Sequence, residues 1–203
     1  MSGRFITFEG IDGSGKSTQL SATAGVLRAS GIDVLETREP GGTPLGEALR
    51  AITLKRAMSP LTETLLMFAA RVEHIDEIIV PALGTGHWVL CDRFTDATYA
   101  YQSGGRGIAA EWIASLEDWV HPTLQPDLTV LIDLEPRQAA MRRAQARAPD
   151  RFEAEDQSFF DRVRSVYLAR ARDQENRFLV IDGASAPAQI LDRIIERVKP
   201  WRA

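Results

Sequence analysis

Cysteine and long apolar runs are nearly absent from this sequence of 203 residues. The single cysteine, Cys91, excludes an internal disulfide, and none of the three histidines stands at zinc-ligand spacing from it. No stretch approaches the ~20 consecutive apolar residues of a membrane-spanning helix. The first residues lack the basic region and apolar segment of a secretory signal. We therefore expect a cytoplasmic protein with no membrane partner.

An excess of positive charge is also missing. The chain has 24 Lys and Arg against 28 Asp and Glu, which leaves a net charge of −4. A general nucleic-acid-binding protein shows a basic balance, so we expect no nucleic-acid partner and only locally gathered functional arginines. The length suits one buried core, and 44% of the residues are hydrophobic. Residues 1–203 are therefore expected to form a single domain.

Lysine is rare, yet one lysine lies in a motif that binds phosphate. The apolar run 5–8 is followed by Gly10-Ile-Asp-Gly-Ser-Gly-Lys-Ser17, which matches the P-loop pattern GxxxxGK[ST] in full, and then by a helical pattern. Glycines let backbone N–H groups surround a phosphate, and the helix directs its positive dipole end toward it. Lys16 would reach the β- and γ-phosphates, and the Ser17 hydroxyl would bind Mg²⁺. The alternative is a glycine-rich turn that carries Lys-Ser by chance.

Five short apolar stretches alternate with helical patterns along the chain. The predicted strands are residues 5–8, 33–37, 88–91, 128–133 and 178–182. This alternation predicts an α/β fold with a five-stranded parallel sheet and helices on both faces. Ligands of such sheets bind outside the carboxyl ends of the strands. The P-loop, the loop after Thr37 and the pair Asp92-Arg93 should therefore share one edge of the sheet.

Two further segments are recognised by their composition, one apolar and one rich in glycine. The predicted helix 61–82 has an apolar face broad enough for burial on more than one side, which a subunit interface would supply. Residues 103–107, which contain three glycines, are predicted to form a loop.

Three groups of charged residues could act on phosphates. Asp92 at a strand end could bind Mg²⁺ directly or through water, and Arg93 could grip a transferring phosphoryl group; the alternative is a strand-end ion pair. Four arginines surround a proline-interrupted turn and predict a lid over residues 142–153, although they could also form a solvated helix end. Asp12 inside a phosphate-binding loop suggests a task such as binding a sugar hydroxyl; the alternative is a solvent-facing turn.

Several motifs together resemble bacterial thymidylate kinase over nearly the whole chain. They are Glu9-Gly-Ile-Asp-Gly-Ser-Gly-Lys-Ser-Thr18, Thr37-Arg-Glu-Pro-Gly-Gly-Thr43, Leu66-Met-Phe-Ala-Ala-Arg71, Asp92-Arg-Phe94 with Ala100-Tyr-Gln102 and Gly104-Gly-Arg-Gly107, and Asp150-Arg-Phe-Glu153. The P-loop alone is common to many nucleotide enzymes, whereas the other motifs at these spacings are specific.

The resemblance implies a P-loop nucleoside monophosphate kinase fold and a reaction. The reaction is transfer of the γ-phosphoryl group of ATP to dTMP, which gives dTDP and ADP for dTTP synthesis, with Mg²⁺, in a homodimer. By this resemblance, ATP binds Gly10, Ile11, Asp12, Gly13, Ser14, Gly15, Lys16, Ser17, Thr18, Arg143 and Arg151. The metal site is formed by Ser17 and Asp92.

The resemblance also assigns an acceptor site. Its residues are Asp12, Glu39, Pro40, Arg50, Met67, Phe68, Arg71, Arg93, Thr98, Tyr101 and Gln102. Asp12 would approach the deoxyribose 3′-hydroxyl, Arg93 and Arg50 the acceptor phosphate, and Arg71 the thymine edge. Tyr101 and Gln102 would contact the nucleoside. Since the family often has an aromatic residue where Met67 stands, either Met67 or the adjacent Phe68 could cover the base.

The expected source of the catalytic arginine depends on one position at which this sequence differs from a subgroup of the family. One subgroup of the family has an arginine in the P-loop at the position that Gly13 occupies here, so the charge should come from the lid. Arg147 is the preferred residue, with Arg143 and Arg151 as alternatives, while Gln145 replaces a further lid arginine. The predicted catalytic residues are Lys16, Arg93, Arg147, Arg143 and Asp12.

Two other functions compete with this hypothesis. A kinase for a hydroxyl acceptor such as a deoxynucleoside would need a carboxylate base, for which Glu9 or Asp12 could serve. A P-loop switch protein would instead bind nucleotide and signal by conformation, but the sequence lacks the Asn-Lys-x-Asp guanine motif of GTPase switches.

Overall fold

The computed structural model describes residues 3–144 and 151–202 of the chain. Within these residues, five strands form one parallel sheet in the order β2-β3-β1-β4-β5. The strands are β1 (Arg4–Glu9), β2 (Val34–Arg38), β3 (Trp88–Asp92), β4 (Leu128–Asp133) and β5 (Phe178–Asp182). The predicted α/β fold with a five-stranded parallel sheet is confirmed.

Helices connect the strands. They are α1 (Lys16–Ala29), α2 (Pro44–Lys55), α3 (Pro60–His74), α4 (Val80–Gly84), α5 (Thr95–Thr98), α6 (Ala110–Val120), α7 (Pro136–Ala144), α8 (Gln157–Asp173) and α9 (Pro187–Val198). Segments Ile75–Ile79 and Tyr99–Gly105 are π-helical, and Lys199–Arg202 is a 3₁₀ turn. In the described residues, no helix is both long and apolar enough to cross a membrane.

Local sequence explains where several helices begin. The side chains of Thr43, Ser59 and Asp156 accept backbone N–H groups in the first turns of α2, α3 and α8. These contacts satisfy donors that a helix start leaves free. In α2 and α3 a proline follows the cap directly, where its missing N–H has no cost.

The two faces of the sheet pack against different helices. Ile6 and Phe8 of β1 belong to a buried cluster with residues of α1 and α9, whereas Phe5 packs with the π-helical segment after α3. Leu131 of β4 packs with the aromatic residues of α8. Side chains alternate across a strand, so helices cover both faces and leave the carboxyl ends of the strands open for a site.

The predicted helix 61–82 is interrupted by a π-helical segment. Pro81 has no N–H and its ring crowds the carbonyl four residues earlier, and the ladder widens over Ile75–Ile79, the segment just before it. Such single π turns relieve a local mismatch within a longer helix. On the outer side of α3, Leu61, Leu65 and Val72 remain exposed.

The prediction of a loop at 103–107 is wrong for its first part. Residues Tyr99–Gly105 are π-helical and pack against α8. A Cβ atom on Gly104 would lie 2.7 Å from Val166 Cγ2, and one on Gly105 would clash with the ring of Phe159. The glycines therefore serve close helix packing, which sequence alone could not distinguish from loop propensity.

We expect Gly105→Ala to destabilise the protein by about 1–3 kcal/mol, because the added methyl overpacks the contact with Phe159. The matched control is Gly25→Ala, at a solvent-exposed position in the middle of α1, where no atom outside the helix's own backbone lies within 4 Å of an added Cβ. That control should be neutral or raise stability by roughly 0.5–1 kcal/mol. Urea unfolding of both variants measures this difference, and equal stabilities would contradict the packing role of Gly105.

Candidate active site

The P-loop connects β1 to α1 and lies under a cavity of about 500 Å³. Gly13 and Gly15 adopt positive φ angles of 86° and 103°, which lets the backbone curl tightly before the helix begins. The buried Lys16 ammonium donates to the Ile11 carbonyl at 3.2 Å and lies 3.6 Å from Asp12 Oδ1. The loop therefore holds a lysine and a helix N-terminus toward one open space.

Most of the predicted ATP-binding residues line this cavity. They are Asp12, Gly13, Ser14, Gly15, Lys16, Ser17, Thr18 and Arg143. Gly10 and Ile11 do not line it, and Ile11 is buried in the core beneath the loop. The lining also includes Glu153, which belongs to the predicted lid, and Gly183 and Pro187, which the sequence analysis did not identify.

A second cavity of about 100 Å³ lies beside the P-loop. Ten of the eleven predicted acceptor-site residues line it, namely Asp12, Glu39, Pro40, Arg50, Met67, Arg71, Arg93, Thr98, Tyr101 and Gln102. Phe68 is the exception, because its ring packs with Tyr99 and Ile113 and lies 4.8 Å from the Arg71 guanidinium carbon. Met67 is thus the member of this pair that reaches the cavity.

Arg93 lines the second cavity and contacts Asp12, which lines both cavities. It follows β3 directly and has a φ of 74°, and its N–H donates to the Phe8 carbonyl of β1 at 3.0 Å. Its guanidinium donates to Asp12 Oδ1 at 2.8 Å and to the hydroxyls of Tyr101 at 2.9 Å and Tyr167 at 3.1 Å. The arginine is therefore held in one orientation by three polar groups.

Asp12 lines both cavities and carries a negative charge. Burial acts to raise its pKa, but the Arg93 guanidinium and the Lys16 ammonium hold the pKa of this carboxyl well below its usual range. An ionised carboxylate with so low a pKa can accept hydrogen bonds but is a weak base. Asp12 is thus suited to holding a donor group at the junction of the cavities.

Ser17 and Asp92 form a polar pair at the end of β3. The Ser17 hydroxyl donates to Asp92 Oδ2 at 2.6 Å. Asp92 Oδ1 is buried and has no hydrogen-bond partner among the described residues. A free carboxylate oxygen next to a hydroxyl can help to bind a cation whose remaining ligands are phosphate oxygens and water.

Arg71 of α3 has one donor left for a ligand. Its Nε donates to Glu39 Oε2 at 2.8 Å, and one terminal nitrogen donates to Thr98 Oγ1 at 3.0 Å. The other terminal nitrogen, Nη1, is buried without a partner among the described residues. An unpaired buried donor is costly, so this guanidinium is suited to a ligand with a carbonyl oxygen.

Arg143 and Arg151 of the predicted lid lie near different cavities. Arg143 donates to the Asp12 carbonyl at 2.7 Å and lies over the Phe160 ring. Arg151 instead pairs with Glu63 at 2.6 Å and donates to the Thr53 carbonyl, which places it on the acceptor side and outside the lining of the P-loop cavity. Arg147 and Gln145 lie outside the described residues.

A family model described as thymidylate kinase matches residues 8–194. The chain belongs to the thymidylate kinase family. The reaction of this family is transfer of a phosphoryl group from ATP to dTMP, and the chain is accordingly an enzyme. The alternative of a P-loop switch protein is therefore wrong.

Relatives in the thymidylate kinase family match the chain over its length. The thymidylate kinase of Methylobacillus flagellatus is 52% identical over 203 residues and covers 100% of both chains. That of Cupriavidus necator is 58% identical over 196 residues, which is 96% of this chain and 97% of the relative. The crystal structure of thymidylate kinase from Ehrlichia chaffeensis superposes with a TM-score of 0.80 at 35% identity and covers 98% of this chain and 99% of its own.

Tyr167 of α8 supports the site but was not identified from the sequence. Its hydroxyl accepts from Arg93 and donates to Glu9 Oε2 at 2.7 Å. Arg93 and Tyr167 are 74 residues apart, and the helical spacing of Tyr167 is that of any core aromatic. Its polar role carries no local sequence signal.

Both oxygens of the buried Glu9 carboxyl group form hydrogen bonds within the protein. Its Oε1 accepts the Phe94 N–H at 2.7 Å, its Oε2 accepts the Tyr167 hydroxyl, and it lines neither cavity. Burial, together with the Asp96 carboxylate, raises its pKa to about 8. Glu9 therefore supports the backbone after β3 and Tyr167, and its position does not suit the base of a hydroxyl acceptor.

Proposed function

We propose that this chain transfers the γ-phosphoryl group of ATP to dTMP, giving dTDP and ADP, for the synthesis of dTTP. The observation that carries the proposal is that two cavities share Asp12, which is bound by Arg93 of the second cavity. One cavity is lined by a P-loop, and the other by three arginines, two carboxylates and several uncharged side chains. A donor phosphate and an acceptor phosphate bound in them would face each other across one guanidinium.

The proposed reaction requires that the negative charge of the two phosphates be neutralised and that the phosphates be aligned. The acceptor is a phosphate monoester that is already mostly dianionic at pH 7, so no general base is required. Lys16 and Arg93 supply cationic groups at the junction, and Arg50 supplies a third in the acceptor cavity. The weak basicity of Asp12 and the internal bonds of Glu9 argue against a hydroxyl acceptor.

On the acceptor side we keep the residue roles that the resemblance implies, and the lining of the second cavity supports them. We assign the acceptor phosphate to Arg93 and Arg50, and the 3′-hydroxyl to Asp12. Arg71 would donate its free Nη1 to a thymine carbonyl, with Met67 over the base. Glu39, Pro40, Thr98, Tyr101 and Gln102 would complete the walls of the pocket around the nucleoside.

Magnesium would be held by Ser17 and Asp92. The free Asp92 Oδ1 and the adjacent hydroxyl fit a cation that keeps several waters and takes phosphate oxygens as its other ligands. When bound, the ion would neutralise charge on the donor phosphates. Such a site needs only one or two protein ligands. The described parts of the chain contain no cluster of three metal-ligating side chains.

We further propose one domain over residues 1–203 with a lid at 142–153 that supplies the catalytic arginine. Gly13 leaves no arginine in the P-loop itself. Arg143 reaches the Asp12 carbonyl beside the junction, while Arg151 is occupied by Glu63 on the acceptor side. Arg147 remains the preferred catalytic arginine of the lid, and a cytoplasmic location and the absence of a nucleic-acid partner remain predictions from composition.

A homodimer is proposed through α2 and α3. Large apolar side chains are exposed along these adjacent helices, namely Leu45 and Ile52 of α2 and Leu61, Leu65 and Val72 of α3. Large apolar side chains exposed on two helices that pack together are typical of a protein interface. The outer face of α3 would pack against the partner while its inner face carries Met67 and Arg71.

The acceptor is tested by ADP release from ATP with dTMP, dUMP, thymidine or no acceptor. We expect turnover with dTMP to exceed that with dUMP and to be nearly absent with thymidine, since the acceptor arginines need a phosphate. Addition of EDTA should abolish the activity if Mg²⁺ is required. Turnover with thymidine and none with dTMP would overturn the proposal in favour of a hydroxyl acceptor.

We expect Arg147→Ala to lower kcat by roughly 10²-fold or more, as loss of a transition-state arginine does, and to leave the KM for ATP largely unchanged. Arg172→Ala, in the exposed last turn of α8, is the matched control and should retain normal kinetics. Steady-state rates with dTMP as the acceptor measure both effects. A rise in KM alone, at normal kcat, would show that the catalytic arginine lies elsewhere.

We expect Leu65→Glu to convert the dimer to a monomer, because it places a charge in the apolar contact; Leu65 is 49% exposed in the single chain. Met141→Glu, on the separate helix α7, is the control for adding a charge at an exposed apolar site. Light scattering after gel filtration measures the mass of each variant. A wild-type protein that is monomeric at micromolar concentration would contradict the dimer.

A further inference from the structure

His74 is a buried histidine that touches neither cavity. It is the last residue of α3 and has no exposed surface. Its Nδ1 lies 3.0 Å from Glu39 Oε1, and its Nε2 lies 2.6 Å from Thr37 Oγ1. Both ring nitrogens are therefore engaged, although nothing in the proposed reaction uses this imidazole.

The direction of the bond to Glu39 follows from charge. Burial acts to raise the pKa of Glu39, but the Arg71 guanidinium and the hydrogen bond from His74 lower it, so the carboxylate is ionised and accepts only. Nδ1 must then carry the hydrogen and donate to Glu39. A neutral ring accepts the Thr37 hydroxyl at Nε2, whereas a charged ring donates to it, and either way the bond to Glu39 is the same.

Glu39 connects this ring to Arg71. One carboxylate oxygen accepts from His74, and the other accepts from Arg71 Nε at 2.8 Å. A carboxylate held on both oxygens cannot rotate without losing a bond, so it fixes the plane of the guanidinium. With Thr98 holding a second nitrogen, the orientation of the free Nη1 is determined by two lining residues, Glu39 and Thr98, and by His74 behind Glu39.

The loop after β2 is built around the imidazole. Gly42 has a φ of 83°, and a Cβ atom there would lie 2.5 Å from His74 Cδ2 and 2.6 Å from Nε2. Only a glycine permits this approach at that backbone conformation. The backbone of the loop that carries Glu39 and Pro40 therefore packs directly on the ring, which leaves the ring one position.

We propose that His74 is a positioning residue that, through Glu39, aims the free donor of Arg71 and so sets the preference of the acceptor site for a pyrimidine with a carbonyl oxygen over one with an amino group. This inference rests on the proposed function, since it concerns the same acceptor. A guanidinium donor pairs with a carbonyl oxygen of thymine, whereas the 4-amino group of cytosine presents another donor. A loosely held Arg71 loses this discrimination.

The test compares kcat and KM for dTMP and dCMP in the full-length variants His74→Leu and His74→Asn. We expect His74→Leu to raise the KM for dTMP about tenfold and to reduce the dTMP-to-dCMP ratio of kcat/KM similarly, the usual scale for a hydrogen bond to a charged group. The kcat at saturating dTMP and the KM for ATP should stay within about twofold. His74→Asn keeps an amide donor near the position of Nδ1 and should restore most of the selectivity.

A milder variant covers the case in which His74→Leu does not fold. Thr37→Val removes only the hydroxyl at Nε2 and should raise the KM for dTMP in the same direction by a smaller factor. Its matched control is Thr95→Val, which breaks a similar buried pair, with Thr95 Oγ1 2.8 Å from His121 Nε2, and has no bond to Glu39. Thr95→Val should leave the selectivity ratio unchanged.

The outcomes separate the two proposals. If the wild-type protein does not phosphorylate dTMP, the proposed function fails and this inference fails with it. If the wild type does so and Arg71→Ala loses selectivity while folded His74→Leu and Thr37→Val keep it, only the role of His74 is overturned. A uniform loss of thermal stability and kcat that His74→Asn does not rescue would show a structural role and would also overturn it.

Discussion

The site depends on a guanidinium held at the end of a parallel strand. Arg93 follows β3 in a left-handed backbone conformation and is anchored to β1 through its N–H. Its side chain is held by Asp12 from the P-loop, Tyr101 from the π-helical segment and Tyr167 from α8. Three elements that are distant in sequence thus converge on one cation beside Asp12, the residue that the two cavities share.

Two ion pairs near Arg93 hold other charged side chains of the site in place. Asp12 and Lys16 lie 3.6 Å apart within the P-loop, while Glu39 and Arg71 form a buried pair in the second cavity. Buried charges are tolerated only when they are paired and hydrogen-bonded. Both members of each pair line a cavity, so the charges that the fold must pair internally also determine what the site can bind.

Much of this arrangement could be predicted from sequence, for physical reasons that differ by element. The bounds of β4 and β5 agree with prediction because each is a continuous apolar run that ends in Asp133 or Asp182. The P-loop and the strand-end pair Asp92-Arg93 follow from local motifs. Tyr167, His74 and the position of Arg151 could not be predicted, because each is defined by partners far along the chain.

The glycine contact between the π-helical segment and α8 has an evolutionary consequence. Gly104 and Gly105 bring α8 so close that Tyr101 and Tyr167, which both hold Arg93, belong to elements that cannot move apart independently. Moving the π-helical segment to enlarge the second cavity, which Tyr101 lines, would break its packing on α8 and the hydrogen bond from Arg93 to Tyr101. A wider cavity would therefore require coordinated changes in both elements, so a single substitution is poorly suited to producing one.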